Sequence, residues 1–102
     1  MKCDRSALLE ISVLRALCGC GDLRRLRDAV ERVRTHEWGN ADHSVVFGAI
    51  RECVERGAVV TREAVIGMAT RAGFPDVELA EYFAGGDGLS LEEAVEKLLA
   101  AR

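Results

Sequence analysis

Hydrophobic residues recur through most of the chain at three- and four-residue steps, the spacing that places them on one face of an α-helix. No segment shows a sustained alternation of apolar and polar residues, and the apolar run Ala58–Val60 is too short to require a sheet. The pattern therefore predicts an all-α fold. The first helix is predicted from Ser6 to Cys18, with a stripe of Ala7 or Leu8, Ile11, Leu14, and Leu17 or Cys18.

Residues that favour helix termini divide the next part of the chain into three helices. Asp22, Asn40 and Thr61 are candidate N-caps because their side-chain oxygens can accept hydrogen bonds from backbone amides of the first turn. Gly57 and Gly73 are candidate helix ends. We predict helices from Leu23 to about His36, from Asn40 to Gly57 and from Thr61 to Gly73.

Two more helices are expected near the carboxyl end of the sequence. The fifth follows Phe74-Pro75-Asp76 and is followed by a glycine-rich turn over residues 85–88. Ser90, with Glu93 three residues later, matches a capping box and opens the sixth helix. Apolar positions of the fifth helix are Val77, Leu79, Ala80, Tyr82 and Phe83, and the sixth runs from Leu91 to Ala101.

Length and composition are those of one small globular domain. The 102 residues are 49% hydrophobic and 30% charged, and they contain no linker long enough to separate two domains. We therefore expect a single compact domain of about six short helices over residues 1–102, with a globular core in residues 1–84 and a terminal helix in residues 89–102. The predicted core residues are Leu8, Ile11, Leu14, Leu26, Val30, Val46, Phe47, Ile50, Val65, Met68 and Phe83.

Charge gives little reason to expect attraction to nucleic acid or to a membrane. The net charge is −3, and no apolar run approaches the ~20 residues that a bilayer span needs. The amino terminus lacks the apolar stretch of a signal peptide, so we expect a cytoplasmic protein. Residues 1–72 carry twelve basic and ten acidic residues, and residues 73–102 carry two and seven. Such a division indicates two differently charged faces, as on a protein docking module.

Candidate chemistry is sparse. Cys18 and Cys20, together with Cys53 or a histidine, offer soft ligands for zinc, but a second well-spaced ligand pair is missing. We therefore predict no metal and no cofactor. His43 lacks a suitably placed nucleophile, so we interpret it as a brace for the turn before the third helix and predict no catalytic residue.

The second helix is the most charged segment, and its arginines are the basis of an alternative function. Arg24 and Arg27 could contact phosphates in a small helical DNA-binding domain. Against this, aromatic residues that stack on bases are absent from the segment, and acidic residues four positions away can neutralise the arginines. The pairs expected on this spacing are Arg24–Asp28, Asp28–Arg32 and Arg27–Glu31.

The order of short motifs resembles the amino-terminal domain of DnaB-type replicative helicases. Residues 9–14, which contain Glu10, resemble that domain's E-x-[SA]-V-L opening, and His43 with Phe47 matches its H-x-x-[IL]-F helix. Further matches are Glu55-Arg56-Gly57, Val60-Thr61, Arg71-Ala72-Gly73, Leu79-Ala80-Glu81-Tyr82-Phe83, and the helix Glu92–Ala101 as the start of the family's terminal hairpin. The second helix of that hairpin and an ATPase domain are not in this sequence, so we expect an excised domain or a free-standing relative.

The resemblance implies a non-catalytic helical module that self-associates and contacts primase or helicase-loader proteins. In the family the terminal hairpin pairs subunits, and here the apolar stripe of the last helix needs cover. We therefore expect a weak homodimer with Val95, Leu98 and Leu99 at the centre of its interface.

Overall fold

The computed structural model describes residues 5–74, 79, 80, 82, 83 and 90–101. Within these residues the secondary structure is entirely helical, as predicted. No helix among them is long and apolar enough to cross a bilayer. The five helices are α1 (Arg5–Gly19), α2 (Leu23–Arg32), α3 (Ala41–Glu55), α4 (Arg62–Arg71) and α5 (Leu91–Ala100).

Four helices begin at the predicted N-caps. The carboxylate of Asp22 and the amide oxygen of Asn40 each accept hydrogen bonds from two backbone amides of the following turn. The Thr61 hydroxyl caps α4, and Ser90 with Glu93 forms the complete capping box at the start of α5. Each cap satisfies backbone N–H groups that have no partner inside the helix, which is why the sequence locates these starts so well.

Helix ends follow the sequence less closely. The left-handed backbone of Gly57 (φ 73°) and Gly73 (φ 97°) confirms the turns that follow α3 and α4. By contrast, α2 ends at Arg32 rather than near His36. The helix is shorter than predicted because His36 and Trp38 take part in side-chain contacts with α1 and α3 that a continued helix would not place there.

Helix α3 occupies the middle of the packing, and residues from all five helices form one core. It contacts α1, α2 and α4, while α5 packs against α1 and α2. The radius of gyration is 12.5 Å, close to the ~13 Å expected for a compact chain of 100 residues. The predicted core residues that are buried are Leu14, Leu26, Val30, Val46, Phe47, Ile50 and Val65.

The prediction was wrong for Leu8 and only partly right for three other core positions. Leu8 is 64% exposed. The buried stripe of α1 instead consists of Glu10, Val13, Leu14, Leu17 and Cys18, so the face of the helix is rotated relative to the predicted one. Half-buried rather than buried are Ile11, Met68 and Phe83.

The predicted fifth helix falls largely outside the described residues. Residues 75–78, 81 and 84, like the glycine-rich turn at 85–88, are not described. Of the predicted apolar positions, Leu79 and Tyr82 are buried, and the Tyr82 amide donates to the Leu79 carbonyl at 3.0 Å within a turn. This part of the chain therefore contributes to the core through the buried Leu79 and Tyr82 and the half-buried Phe83.

The apolar stripe of α5 is covered by the domain itself. Val95 and Leu98 are 0% and 1% exposed, and Leu99 is half-buried. The helix packs against α1, and its Glu92 carboxylate binds the Arg25 guanidinium of α2 at 2.8 Å. The dimer was expected because the apolar face of this helix needs cover. In the structure the domain itself covers Val95 and Leu98, so this reason does not hold for them.

Two phenylalanines provide a matched test of this core. Phe47 is 4% exposed and Phe74 is 49% exposed. We expect Phe47→Ala to lower the free energy of unfolding by about 3–5 kcal/mol, because it leaves a cavity, and Phe74→Ala to lower it by less than about 1 kcal/mol. Urea denaturation measures both. Equal losses in the two variants would contradict the packing of α3.

Candidate functional site

A carboxylate lies in the core of the domain. Glu10 lies on the same face of α1 as Val13, Leu14 and Leu17, and it is only 1% exposed. A buried carboxylate is costly unless other groups donate hydrogen bonds to it. Glu10 therefore demands partners, and the structure supplies them from two separate parts of the chain.

Three donors surround the two oxygens of this carboxylate. His43, in the first turn of α3, places Nδ1 2.8 Å from Oε1. His36, in the connection between α2 and α3, places Nε2 2.7 Å from Oε2. The backbone amide of Gly39 donates to the same Oε2 at 2.9 Å. We call Glu10, His36, Gly39 and His43 the Glu10 cluster.

The balance of forces keeps the Glu10 carboxylate ionised. Burial by itself raises the pKa of Glu10, but the hydrogen bonds from His43, from the Gly39 amide and from His36 outweigh burial, so the pKa is lowered from its ordinary value. An ionised carboxylate only accepts hydrogen bonds. His43 must therefore donate through Nδ1–H and His36 through Nε2–H.

Aromatic rings enclose the cluster. The His36 ring meets the edge of Trp38 with ring centroids 4.8 Å apart, and Trp38 packs on Phe47 of α3 at 4.9 Å. On the other side, the His43 and Tyr82 rings meet edge to face at 6.2 Å. These contacts exclude water, which strengthens the hydrogen bonds to Glu10.

Not every polar atom near the cluster is satisfied. In the described part of the chain, His36 Nδ1 and Trp38 Nε1 are buried without a hydrogen-bond partner. A buried polar atom without a partner costs about 1–3 kcal/mol. The connection between α2 and α3 therefore keeps its conformation against a local penalty, and the bonds to Glu10 offset it.

The Glu10 cluster links helices to one another and is not open to solvent. The side chains of Glu10, His36 and His43 are 1%, 7% and 4% exposed, so a substrate in solvent does not reach them. Through Glu10, α1 holds both the α2–α3 connection and the start of α3. What the cluster can do is fix the relative positions of α1, the α2–α3 connection and the start of α3.

The cysteines do not form a reactive or metal-binding group among the described residues. Burial raises the pKa of the Cys18 thiol to about 12, with a contribution from nearby Cys53, and burial also raises the pKa of Cys53. Both thiols are therefore protonated at neutral pH and are poor nucleophiles and ligands. No set of three His, Cys, Asp or Glu side chains in the described part could hold a metal ion.

The arginines of α2 remain exposed, but they do not pair as expected. Arg24 and Arg27 both lie on the surface. None of the three pairs expected at four-residue spacing is formed among the described side chains of α2. The ion pairs that do form are Arg25 with Glu92 of α5 at 2.8 Å and Arg34 with Glu31 at 3.4 Å. Arg25 thus pairs with another helix and Arg34 pairs at a three-residue spacing, instead of the predicted four-residue spacing.

No protein-family model, curated protein or solved structure matches this chain. The candidate function therefore rests on the residues of this chain and on their contacts.

Sequence reasoning missed Glu10 and His36 as members of one cluster. It singled out His43 as a brace of the turn before α3, and the structure places His43 in the buried network there. A signal was present, because Glu10 lies three, four and seven positions before Val13, Leu14 and Leu17. A carboxylate on an apolar face predicts buried donors.

Removal of the charge on Glu10 tests the cluster directly. In Glu10→Gln an amide N–H₂ replaces one carboxylate oxygen and faces a donor, so we expect the free energy of unfolding to fall by about 2–3 kcal/mol. The exposed Glu37 gives a matched control, because Glu37→Gln should change stability by less than about 0.5 kcal/mol. Similar losses in both variants would contradict the structural role of Glu10.

The lowered pKa of Glu10 also predicts how stability depends on pH. Its contribution is fully present above the ordinary value of 4.5 and is lost as the pH falls through the lowered pKa of the folded state. Urea denaturation between about pH 5.5 and pH 3 should therefore show a larger loss of stability in the wild-type chain than in Glu10→Gln. Glu92, whose pKa Arg25 lowers to about 2, is common to both proteins and cancels in this comparison. Equal losses would show that Glu10 is not held ionised.

Proposed function

We propose that this chain is a non-catalytic helical protein-interaction module of the DnaB amino-terminal type, which contacts primase or helicase-loader proteins. The observation that carries the proposal is the contact between Glu10 and His43. These residues belong to two separate motifs of the resemblance, they are 33 residues apart in sequence, and their side chains meet at 2.8 Å.

A second contact within the same motifs supports the proposal. Phe47, four residues after His43 in the H-x-x-V-F segment, packs on Trp38 in the connection that Glu10 holds. Motifs that are short and degenerate on their own thus belong to one packing unit. Residues that share a packing unit are constrained together, which is a physical reason for them to occur together in a sequence.

The distribution of polar groups suits a module that acts through its surface. The buried polar side chains of the Glu10 cluster are used to hold helices together, whereas α2 and the outer side of α3 present exposed arginines and glutamates. A rigid scaffold with mixed charges on its surface is typical of protein docking domains, in which charge complementarity selects the partner.

We do not extend this function to self-association through α5. Val95 and Leu98 lie in the core of the domain, and pairing through them would require α5 to leave α1.

Direct binding measurements test the proposed function. We expect the purified chain to bind purified primase, or the helicase loader of the same host, with a micromolar dissociation constant in isothermal titration calorimetry. Glu10→Gln should bind more weakly, because loosening α1 and the α2–α3 connection adds an ordering cost to association. The control is Glu37→Gln, which should bind as the wild type does. Absence of binding to both proteins at about 100 µM, where affinities of about −5.5 kcal/mol are still detected, would contradict the function.

A DNA-binding role is the second candidate, and one observation favours it. Arg24 and Arg27 are exposed and form no ion pair with the described residues, so the charge on α2 is less neutralised than its sequence suggests. Fluorescence anisotropy with a labelled DNA duplex at about 50 and 200 mM salt distinguishes the two functions. Tight binding at low salt that falls steeply at high salt would favour DNA over a protein partner.

A further inference from the structure

A depression on the surface lies between α2 and α3. It has a volume of about 580 Å³, within the range of ligand and peptide pockets. We call it the α2–α3 groove. Its lining residues are Arg27, Val30, Glu31, Arg34, Arg51, Val54 and Glu55.

Most of the residues that line the α2–α3 groove are charged. Val30 and Val54 form its floor and are only 5% and 3% exposed, so they offer little apolar surface. Its walls carry three arginines and two glutamates in a chain whose net charge is −3. The groove therefore carries one more positive than negative charge, and the ligand that it suits carries negative groups.

The arginines of the groove keep hydrogen-bonding capacity for a ligand. Arg34 lies 3.4 Å from Glu31 and Arg51 lies 3.8 Å from Glu55, whereas charge-assisted bonds of full strength measure about 2.7–2.9 Å. The same protein forms such a bond elsewhere, where Arg25 binds both oxygens of Glu92 at 2.9 and 2.8 Å. The loose pairs in the groove therefore leave guanidinium donors that a second carboxylate can use.

Arg27 is the third basic residue of the groove and forms no ion pair with the described side chains. Its guanidinium nitrogen lies 3.9 Å from the point where a Cβ on Gly57 would stand, just beyond the end of α3. A helix carboxyl end favours a nearby positive charge, which holds Arg27 at this edge of the groove. The arginine is thus positioned without being neutralised.

We propose that the α2–α3 groove binds an acidic segment of a protein partner, whose carboxylates are taken by Arg27, Arg34 and Arg51. This inference rests on the proposed function and names the surface and the partner chemistry. Arg27 lies on α2, and Arg34 lies in the turn that follows the end of α2 at Arg32. Arg51 lines the other wall of the groove from α3, so an acidic segment in the groove has guanidinium groups on both sides.

The acidic residues of the same walls favour a peptide over a nucleic acid. Glu31 and Glu55 line the same groove as the arginines and repel a continuous row of phosphates. A peptide avoids this repulsion, because it can place a lysine or a neutral side chain opposite each glutamate. Mixed charge in one groove gives specificity for a partner with the complementary pattern.

Titration of the ¹⁵N-labelled full chain with a synthetic peptide tests the proposal. The probe is an alanine-based peptide with several glutamates, and its matched control carries glutamines at those positions. We expect chemical-shift changes at the α2–α3 groove with the glutamate peptide and binding at least about tenfold weaker with the glutamine peptide. Shift changes elsewhere, or equal binding of the two peptides, would overturn the proposal.

Substitutions of the groove arginines, compared with one arginine outside the groove, separate binding in the groove from general charge attraction. Arg27→Ala, Arg34→Ala and Arg51→Ala should each weaken binding about threefold and together about thirtyfold, because each removes one exposed ion pair. The control is Arg24→Ala, which removes an exposed arginine of α2 outside the groove and should leave binding unchanged. Equal effects of Arg24→Ala and Arg27→Ala would overturn the proposal, as would preferential binding of a labelled DNA duplex at these residues.

A charge exchange gives a second readout that does not depend on loss of binding. Arg51→Glu should weaken binding of the glutamate peptide and strengthen binding of a peptide with lysine at the facing position. Failure of this exchange while the variant keeps its wild-type melting temperature would contradict docking at the groove.

The groove and the proposed function can fail separately. If primase or the loader binds the wild-type chain and the triple arginine variant equally well, the proposed function stands and the groove is not its docking site. If the glutamate peptide binds in the groove and neither protein binds the chain, the groove stands and the proposed function fails.

Discussion

The ionised carboxylate buried among hydrophobic side chains is the constraint on which the rest of this structure depends. Glu10 can stay ionised in the core only if donors approach both of its oxygens, and those donors come from His43, His36 and the Gly39 amide. The fold must therefore bring the start of α3 and the α2–α3 connection to the same point on α1. Apolar packing alone tolerates small shifts of helices, whereas three hydrogen bonds at 2.7–2.9 Å do not.

Local signals in the sequence predicted the helix starts. Contacts between residues far apart in sequence determine the features that were not predicted. Asp22, Asn40, Thr61 and Ser90 act on backbone amides two or three residues away, so their roles can be read without knowledge of the fold. Leu8 could not be assigned in the same way, because helical spacing alone does not decide between neighbouring apolar stripes of α1. The partners of Glu10 lie 26–33 residues away, so no local signal in the sequence identified them.

Electrostatic interactions divide into two kinds in this domain. In the core, the Glu10 cluster uses buried charge to fix helix positions. On the surface, the bidentate bond between Arg25 and Glu92 ties α2 to α5, whereas the looser pairs of the α2–α3 groove leave arginines able to bind another molecule. The exposed pairs contribute little to stability, so their charges can change with little effect on the fold. The scaffold and the proposed docking surface are therefore separable by mutation.

The tautomers of the two histidine rings test the Glu10 cluster most directly. Long-range ¹H–¹⁵N correlation spectra near neutral pH distinguish which ring nitrogen of a neutral histidine carries its proton. The hydrogen bonds to Glu10 require the proton of His43 on Nδ1 and that of His36 on Nε2. Observation of these two different tautomers, both reverting to the ordinary mixture in unfolding concentrations of urea, is the result that we expect. A neutral His43 with its proton on Nε2 would contradict the account, because Nδ1 could then not donate to the carboxylate.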